Sequence, residues 1–267
     1  MRALRALLTG LLAVLFSGVL MPVEFASAVP SFYQLDNGKL RIGGSVSGEA
    51  SITSVGSLRG PQYKSSNGNW YNLTIGNSNM ETAFGVGGTG TNNWNVSPTV
   101  SQNPVSGVTI DASEFVTTGT RGTGAYGYGT LTATGTMTID GKQIQVSNRY
   151  TLEQNAGYLR VTTTLTNLSA ATATNVRSWV GVRDDWIGND DVSTKERGYL
   201  TSTAFARSAA NGDRSPAIKI STASEGVLFY STSPKANTSI ASCCSFSNAY
   251  NTNPLTNATS VYNDGSY

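Results

Sequence analysis

The chain reads as an all-β protein, a large antiparallel β-sandwich, on three observations. Short runs rich in Val, Ile, Thr and Tyr recur between clusters of Gly, Asn, Asp and Ser. In the middle of the chain apolar and polar residues alternate at period two, the spacing of a strand with one buried face. Beyond the first 28 residues no segment carries the 3.6-residue period over a normal helix length.

Residues 1–28 have the pattern of a secretory signal: Arg2 and Arg5, an apolar stretch over 7–20 interrupted by Thr9, Gly10, Ser17 and Gly18, then Ala26-Ser27-Ala28 as a small-residue cleavage site. The apolar run falls short of the ~18–20 residues that a spanning helix needs, and it gives way to Pro22 and Glu24. The expectation is a secreted or cell-surface chain, with a single β-sandwich domain over 29–267.

After an entry segment over 29–36, Asp36-Asn37-Gly38 is a turn signal, and strands are expected at 39–42 and, weakly, at 50–55. Gly60-Pro61 breaks the chain before W-Y-N-L-T-I (70–75) and the short run 80–86. The glycine-rich stretch 85–93 lacks the Lys and the following helix of a phosphate loop, which removes nucleotide binding. Strands follow at 105–110, 113–118 and 131–139. Asp140-Gly141 is a hairpin turn, since both residues reach positive φ readily. Ile144, Val146, Tyr150 and Leu152 then share one face, with Asn148 among them. Asn155-Ala156-Gly157 turns the chain again, and Leu159, Val161, Thr163 and Leu165 are expected as the next buried face. Beyond a connection at 170–173, Val176, Ser178, Val180 and Val182 line one face of a strand; Asn175, Arg177, Trp179, Gly181 and Arg183 line the other. Together these predict an antiparallel meander. Shorter strands are expected at 199–206, 217–222 and 226–231. Asp264-Gly265-Ser266-Tyr267 reads as the opening of another hairpin, so the sandwich is expected to be truncated at its C-terminus.

The order N-G-K-L-R-I-G, W-Y-N-L-T-I, then T-M-T-I-D-G-K-Q-I-Q-V-S-N-R-Y-T-L-E, G-Y-L-R-V-T-T-T-L-T-N-L-S and N-V-R-S-W-V-G-V-R-D-D-W resembles the large β-sandwich (supersandwich) of galactose-mutarotase-like domains and sugar-processing relatives. The resemblance covers most of the chain after residue 28 and implies that fold. Mutarotases work with catalytic histidines and a glutamate. This chain has no histidine, so their activity does not carry over. R-D-D-W-I-G is also similar to domains of large secreted or surface-attached microbial proteins.

Composition prunes further. A net charge of +2 with 13% charged residues argues against nucleic acid or an anionic membrane as partner. Twelve Tyr, eight Phe and four Trp supply too much apolar surface for a disordered chain. Without histidine, Ser-His-Asp and Cys-His nucleophiles and His-based zinc sites are excluded. The two cysteines, Cys243 and Cys244, are adjacent. They can form a vicinal disulfide, stay as free thiols, or pair with another chain; the vicinal disulfide is favoured because free thiols oxidise outside the cell.

One segment gathers charge. Of the 16 acidic residues, Asp184, Asp185, Asp190, Asp191 and Glu196 fall between Arg183 and Arg197. The plain reading is a solvated loop whose acids are neutralised by Arg183, Lys195 and Arg197. A second reading is a calcium site built from Asp184, Asp185, Asn189, Asp190 and Asp191, which offer oxygen ligands without EF-hand spacing. A third is a glycosidase pair drawn from Asp185, Asp191 and Glu196; Asp184 and Asp185, being adjacent, point to opposite sides of an extended chain. For ligand binding the candidates are Arg177, Arg183 and Trp186, because aromatic plates stack on sugar rings and guanidinium groups donate forked hydrogen bonds. Trp179 is expected in the core. Sequons at Asn72, Asn167, Asn237 and Asn257 are glycan acceptors in a eukaryotic host.

The functional expectation is a module that binds carbohydrate or extracellular matrix, with calcium as the one cofactor in view. Its first alternative is a carbohydrate-active enzyme, hydrolase or lyase, of the same architecture. Its second is a structural or adhesive surface domain with no small ligand.

Overall fold

The computed structural model describes residues 29–43, 49–86, 99–102, 104–245, 253–254 and 256–267, without the side chains of 77 and 99–102. The signal segment expected over 1–28 and most of the glycine-rich stretch lie outside the described residues. The protein is essentially all-β, and among the described residues the one helical element is a 3-10 turn, Ile75–Asn77. In chain order the strands begin with β1 (Tyr33–Leu35), β2 (Leu40–Arg41), β3 (Gln62–Lys64), β4 (Trp70–Asn72), β5 (Glu81–Val86) and β6 (Thr99–Gln102). There follow β7 (Ser106–Asp111), β8 (Phe115–Arg121), β9 (Gly124–Ile139), β10 (Lys142–Leu152), β11 (Arg160–Asn167) and β12 (Arg177–Gly181). The last are β13 (Ser193–Leu200), β14 (Phe205–Arg207), β15 (Ala217–Ser221), β16 (Gly226–Tyr230), β17 (Ala241–Ser242), β18 (Ser260–Asn263) and β19 (Gly265–Ser266).

β9 is the spine of a six-stranded sheet. β1 and β8 flank its first half, and β10 and β7 its second, with β11 beyond β10. The Asp140-Gly141 turn forms as the sequence indicates, with φ of 52° and 67°, and sets Ile144 opposite Met137 and Tyr150 opposite Leu131. That apolar face is covered by two smaller sheets. β5, in the sheet β12-β5-β6, packs Phe84 and Val86 onto Met137, Ile139, Ile144 and Val146. β15, in the sheet β14-β13-β15-β16, brings Ile218 and Ile220 to Leu35, Leu131, Tyr150 and Leu152. Asn148 sits inside this face because its amide donates to Gly56 O (3.3 Å) and accepts from Thr163 Oγ1 (2.8 Å).

The structure departs from the expected meander in five places. β12 does not pair with β11 but with β5, setting Trp179 opposite Ala83. Trp179 is 7% exposed and Val180 52%; the strand turns its indole inward because an indole removes more apolar area from water than a valine. β11 is an exposed edge, with Val161 43% exposed. Of its expected buried face, Leu159 and Leu165 are half-buried against the core, while Val161 and Thr163 are exposed among the described residues. The segment 50–55 supplies only an isolated bridge, Ile52 to Leu58. β1 runs parallel to β9 in an otherwise antiparallel sheet. Residues 260–267 do not open a dangling hairpin: β18 pairs with β13, β19 pairs with β17, and Tyr267 is buried.

Candidate functional site

The acid-rich segment begins where Gly181 lets the Tyr267 backbone come so close that a Cβ would strike its carbonyl. Val182 and Tyr267 exchange both backbone hydrogen bonds (2.9 and 3.0 Å). The chain then turns through Gly188 and Asn189, with φ of 64° and 63°, while Ile187 and Asp190 exchange hydrogen bonds of 3.1 and 3.0 Å across the turn. From residue 193 it is strand rather than loop. β13 points Ser193, Lys195 and Arg197 inward, all 0% exposed.

This path sends the acids to separate places. Asp185 is wholly buried; its Oδ2 accepts from Lys195 Nζ (2.8 Å) and from the Ser193 hydroxyl, and its Oδ1 from Gly265 N–H (2.7 Å). Asn189 and Asp190 are exposed on the turn, where Asp190 Oδ1 accepts from Val192 N–H (2.9 Å). Glu196 lies half-buried between Lys219 (2.5 Å) and Arg207 (3.7 Å). Only Asp184 and Asp191 meet, with Asp264 nearby. One oxygen of each member of this pair is buried without a hydrogen-bond donor. Burial first, then the charges of Asp191, Asp264 and Asp185, push the Asp184 pKa up to about 6. Asp264 is raised as well, by burial and by Asp191 and Asp185, against Lys195.

Of the five expected calcium ligands, then, Asp184 and Asp191 come together, and Asp185 is committed to a cation and a backbone amide. The expected catalytic set Asp185, Asp191 and Glu196 does not face one space. Cys243 and Cys244 form a vicinal disulfide beside Asp184 and Asp264, and Cys244 borders a cavity of about 270 Å³ with Thr74, Ser78, Asn79, Arg183 and Asp184. Arg183 also pairs with Glu81 (3.0 Å). Arg177 and Trp186 are half-buried and line neither this cavity nor the larger one described next.

The sequon side chains are engaged. Asn257 donates to Ile240 O (2.8 Å) and accepts from Ile240 N–H (2.6 Å). Asn237 Oδ1 accepts from Arg197 Nη2 (3.0 Å) and Ser215 N–H (2.9 Å). Asn72 accepts from Gln62 (2.7 Å), and Asn167, though exposed, donates to Ala171 O (2.8 Å).

A larger cavity, about 370 Å³, opens where the turn between β1 and β2 meets the ends of β3, β4, β8 and β9. Asn37 pins that turn by donating to Glu153 O and Ala156 O, both at 2.8 Å. Asp36 stands at the cavity's base. Its Oδ2 accepts from Arg41 Nε (3.0 Å) and from Arg121 Nη2 (2.5 Å), and its Oδ1 from Gly38 N–H (2.9 Å). Burial works to raise the Asp36 pKa, but the Gly38 amide and the two guanidinium groups outweigh it and hold the carboxyl below its ordinary value. The same guanidinium groups cover aromatic rings: Arg41 lies 4.1 Å over Trp70 and Arg121 4.4 Å over Tyr126. Tyr126 and Tyr128, two apart on β9, share the cavity face. Gly119 makes room for the first of them, since a Cβ there would lie 2.5 Å from the Tyr126 ring. Lys64, paired across the hairpin with Trp70, completes the wall.

This arrangement offers aromatic plates, fixed forked donors and one ionised acceptor, the chemistry that recognises a sugar ring. Among the described residues Asp36 is the one carboxyl lining the cavity, so it holds no acid–base pair for glycosidic cleavage. The sequence carried a signal for part of it: Y-G-Y at 126–128 puts two tyrosines on one strand face. Asp36 and Arg41 meet across the local turn that Asp36-Asn37-Gly38 announces, but Arg121 carried no signal, because it reaches them only through the parallel β1–β9 pairing and β8 beside it. No protein-family model, curated protein or solved structure matches this chain.

Proposed function

We propose that the protein is an exported β-sandwich module that binds saccharide in the cavity between Trp70 and Tyr126. The observation that carries this reading is the pair of rings held in place by Arg41 and Arg121, both fastened to the ionised Asp36. A ring so braced offers a flat apolar surface with little conformational entropy left to lose, and the guanidinium edges supply directional donors to hydroxyls or carboxylates. The resemblance to galactose-mutarotase-like sandwiches supports the same class of ligand.

Affinity electrophoresis through gels containing neutral or uronate polysaccharides, with a glycan array beside it, tests the proposal. Trp70→Ala is expected to weaken retention about tenfold, corresponding to about 1.4 kcal/mol, while the folded fraction is unchanged. Retention of Trp70→Ala equal to that of the parent chain, or no retention of the parent on any glycan, would overturn it and favour the adhesive or structural alternative. One observation favours an enzyme instead: the Asp184–Asp191 carboxyl pair, with one member's pKa raised toward neutrality. That reading requires release of reducing ends from a polysaccharide and loss of the release in Asp184→Asn.

A further inference from the structure

We infer that Lys195 and Asp185 condense to an intramolecular amide that covalently ties β13 to the segment following β12. Both side chains are 0% exposed, with Nζ and Oδ2 2.8 Å apart, a hydrogen-bond contact that sets the nitrogen beside Cγ, the atom it attacks, one bond beyond Oδ2. The groups around them suit the reaction. Lys195 Nζ also donates to Asn263 O (2.8 Å), Ser193 Oγ (3.2 Å) and Ser193 O (3.3 Å), acceptors that aim the amine. Gly265 N–H holds Asp185 Oδ1 at 2.7 Å, where negative charge develops when a nucleophile adds to Cγ. The Ser193 hydroxyl touches both Oδ2 and Nζ and is placed to relay a proton between them.

The step balances without a co-reactant. Nζ passes one proton to Oδ2 along their hydrogen bond, leaving an amine and a carboxylic acid. The nitrogen lone pair attacks Cγ, and the carbonyl electron pair moves onto Oδ1 against the Gly265 amide. A second proton leaves the nitrogen through Ser193 Oγ to Oδ2. The Nζ–Cγ bond is then complete, the Cγ–Oδ2 bond breaks, one water departs and the carbonyl re-forms at Oδ1. The remaining N–H keeps a backbone carbonyl as acceptor. Energetics favour the product: an ion pair with no access to solvent keeps a large desolvation cost that its attraction barely offsets, and condensation removes both charges without disturbing the packing. The vicinal disulfide joins neighbours and spans no loop of the chain, so this amide is the covalent tie that links separate segments.

Tryptic mapping of the full, folded chain tests the inference. Asp185 and Lys195 lie between the cleavage sites Arg183 and Arg197, and trypsin does not cut after an acylated lysine. The expected product is fragment 184–197, uncut at Lys195, about 18 Da lighter than its sequence and without fragment ions between residues 185 and 195. Recovery of fragment 184–195 overturns the proposal. That includes a form equally light, since a succinimide formed at an aspartate loses water but leaves Lys195 cleavable. Lys195→Arg keeps the cation and is expected to give fragment 184–195 at full mass; the same mass deficit there would also overturn it. The parent chain's map decides the matter even where the variant fails to fold.

Discussion

At Asp184 a carboxyl must hold its charge in the company of Asp191, Asp264 and Asp185. Its folded pKa, about 6, lies above the ordinary 3.8. Between those two values the folded chain binds more protons than the unfolded one, so stability falls as pH rises through this window and levels off above it. Asp184→Asn is therefore expected to raise the melting temperature at pH 8 by about 2–4 °C, the shift that about 1 kcal/mol gives in a domain of this size, and to change little near pH 4. A variant that melts lower than the parent at pH 8 would contradict the repulsion. Calcium between Asp184 and Asp191 would reverse the sign, so the scan is run with chelator and again with millimolar calcium. Superimposable parent transitions in the two would dispose of the ion. The sequence gathered five acids into one window, and the alternation of an extended chain already put Asp184 and Asp185 on opposite sides. It did not show that one side was solvent-accessible and the other the interior, because that depends on residues 263–265 arriving from the far end of the chain.

The hairpin of β9 and β10 is where sequence and structure agree most closely, since its turn, period and core face are all local properties. Ile144→Ala is expected to cost ~2–4 kcal/mol in urea denaturation, the usual range for truncating a fully buried aliphatic side chain. Val161→Ala, on β11, should cost under ~0.5 kcal/mol because that side chain is exposed to water. Equal losses at the two sites would mean that β11 is covered after all. The two strands have similar apolar spacing, and the sequence read them alike. What separates them is the second layer, supplied by β5 and β15 from distant parts of the chain. The same long-range choice moved β12 from the meander to β5, and no pattern within 175–183 records it.

Across the whole molecule, the described segments after β16 add Ile240 and Tyr267 to the apolar core and are tied to β13 by hydrogen bonds. Arg197 donates to Asn257 O (2.9 Å), Pro254 O (2.7 Å) and Asn237 Oδ1 (3.0 Å), and no carboxylate faces it among the described residues. Burial alone draws its pKa down to about 10, which leaves it a cation at any physiological pH. Arg197→Met would take the guanidinium donors from the Asn257 and Pro254 carbonyls, while Asn237 Oδ1 keeps the Ser215 N–H. The expected loss is ~3 kcal/mol or more, with faster proteolysis between residues 237 and 257; an unchanged urea midpoint and digestion pattern would show that the tie is dispensable. An apolar strand can slide by two residues along its neighbours and still present a greasy face to the interior. β13 has no such freedom, because a slide by two would carry the Lys195 ammonium into the guanidinium's place and leave a serine opposite Asp185. Three hydrophilic side chains thus act as the wards of a key: of all the alignments available to β13, a single one closes the sandwich.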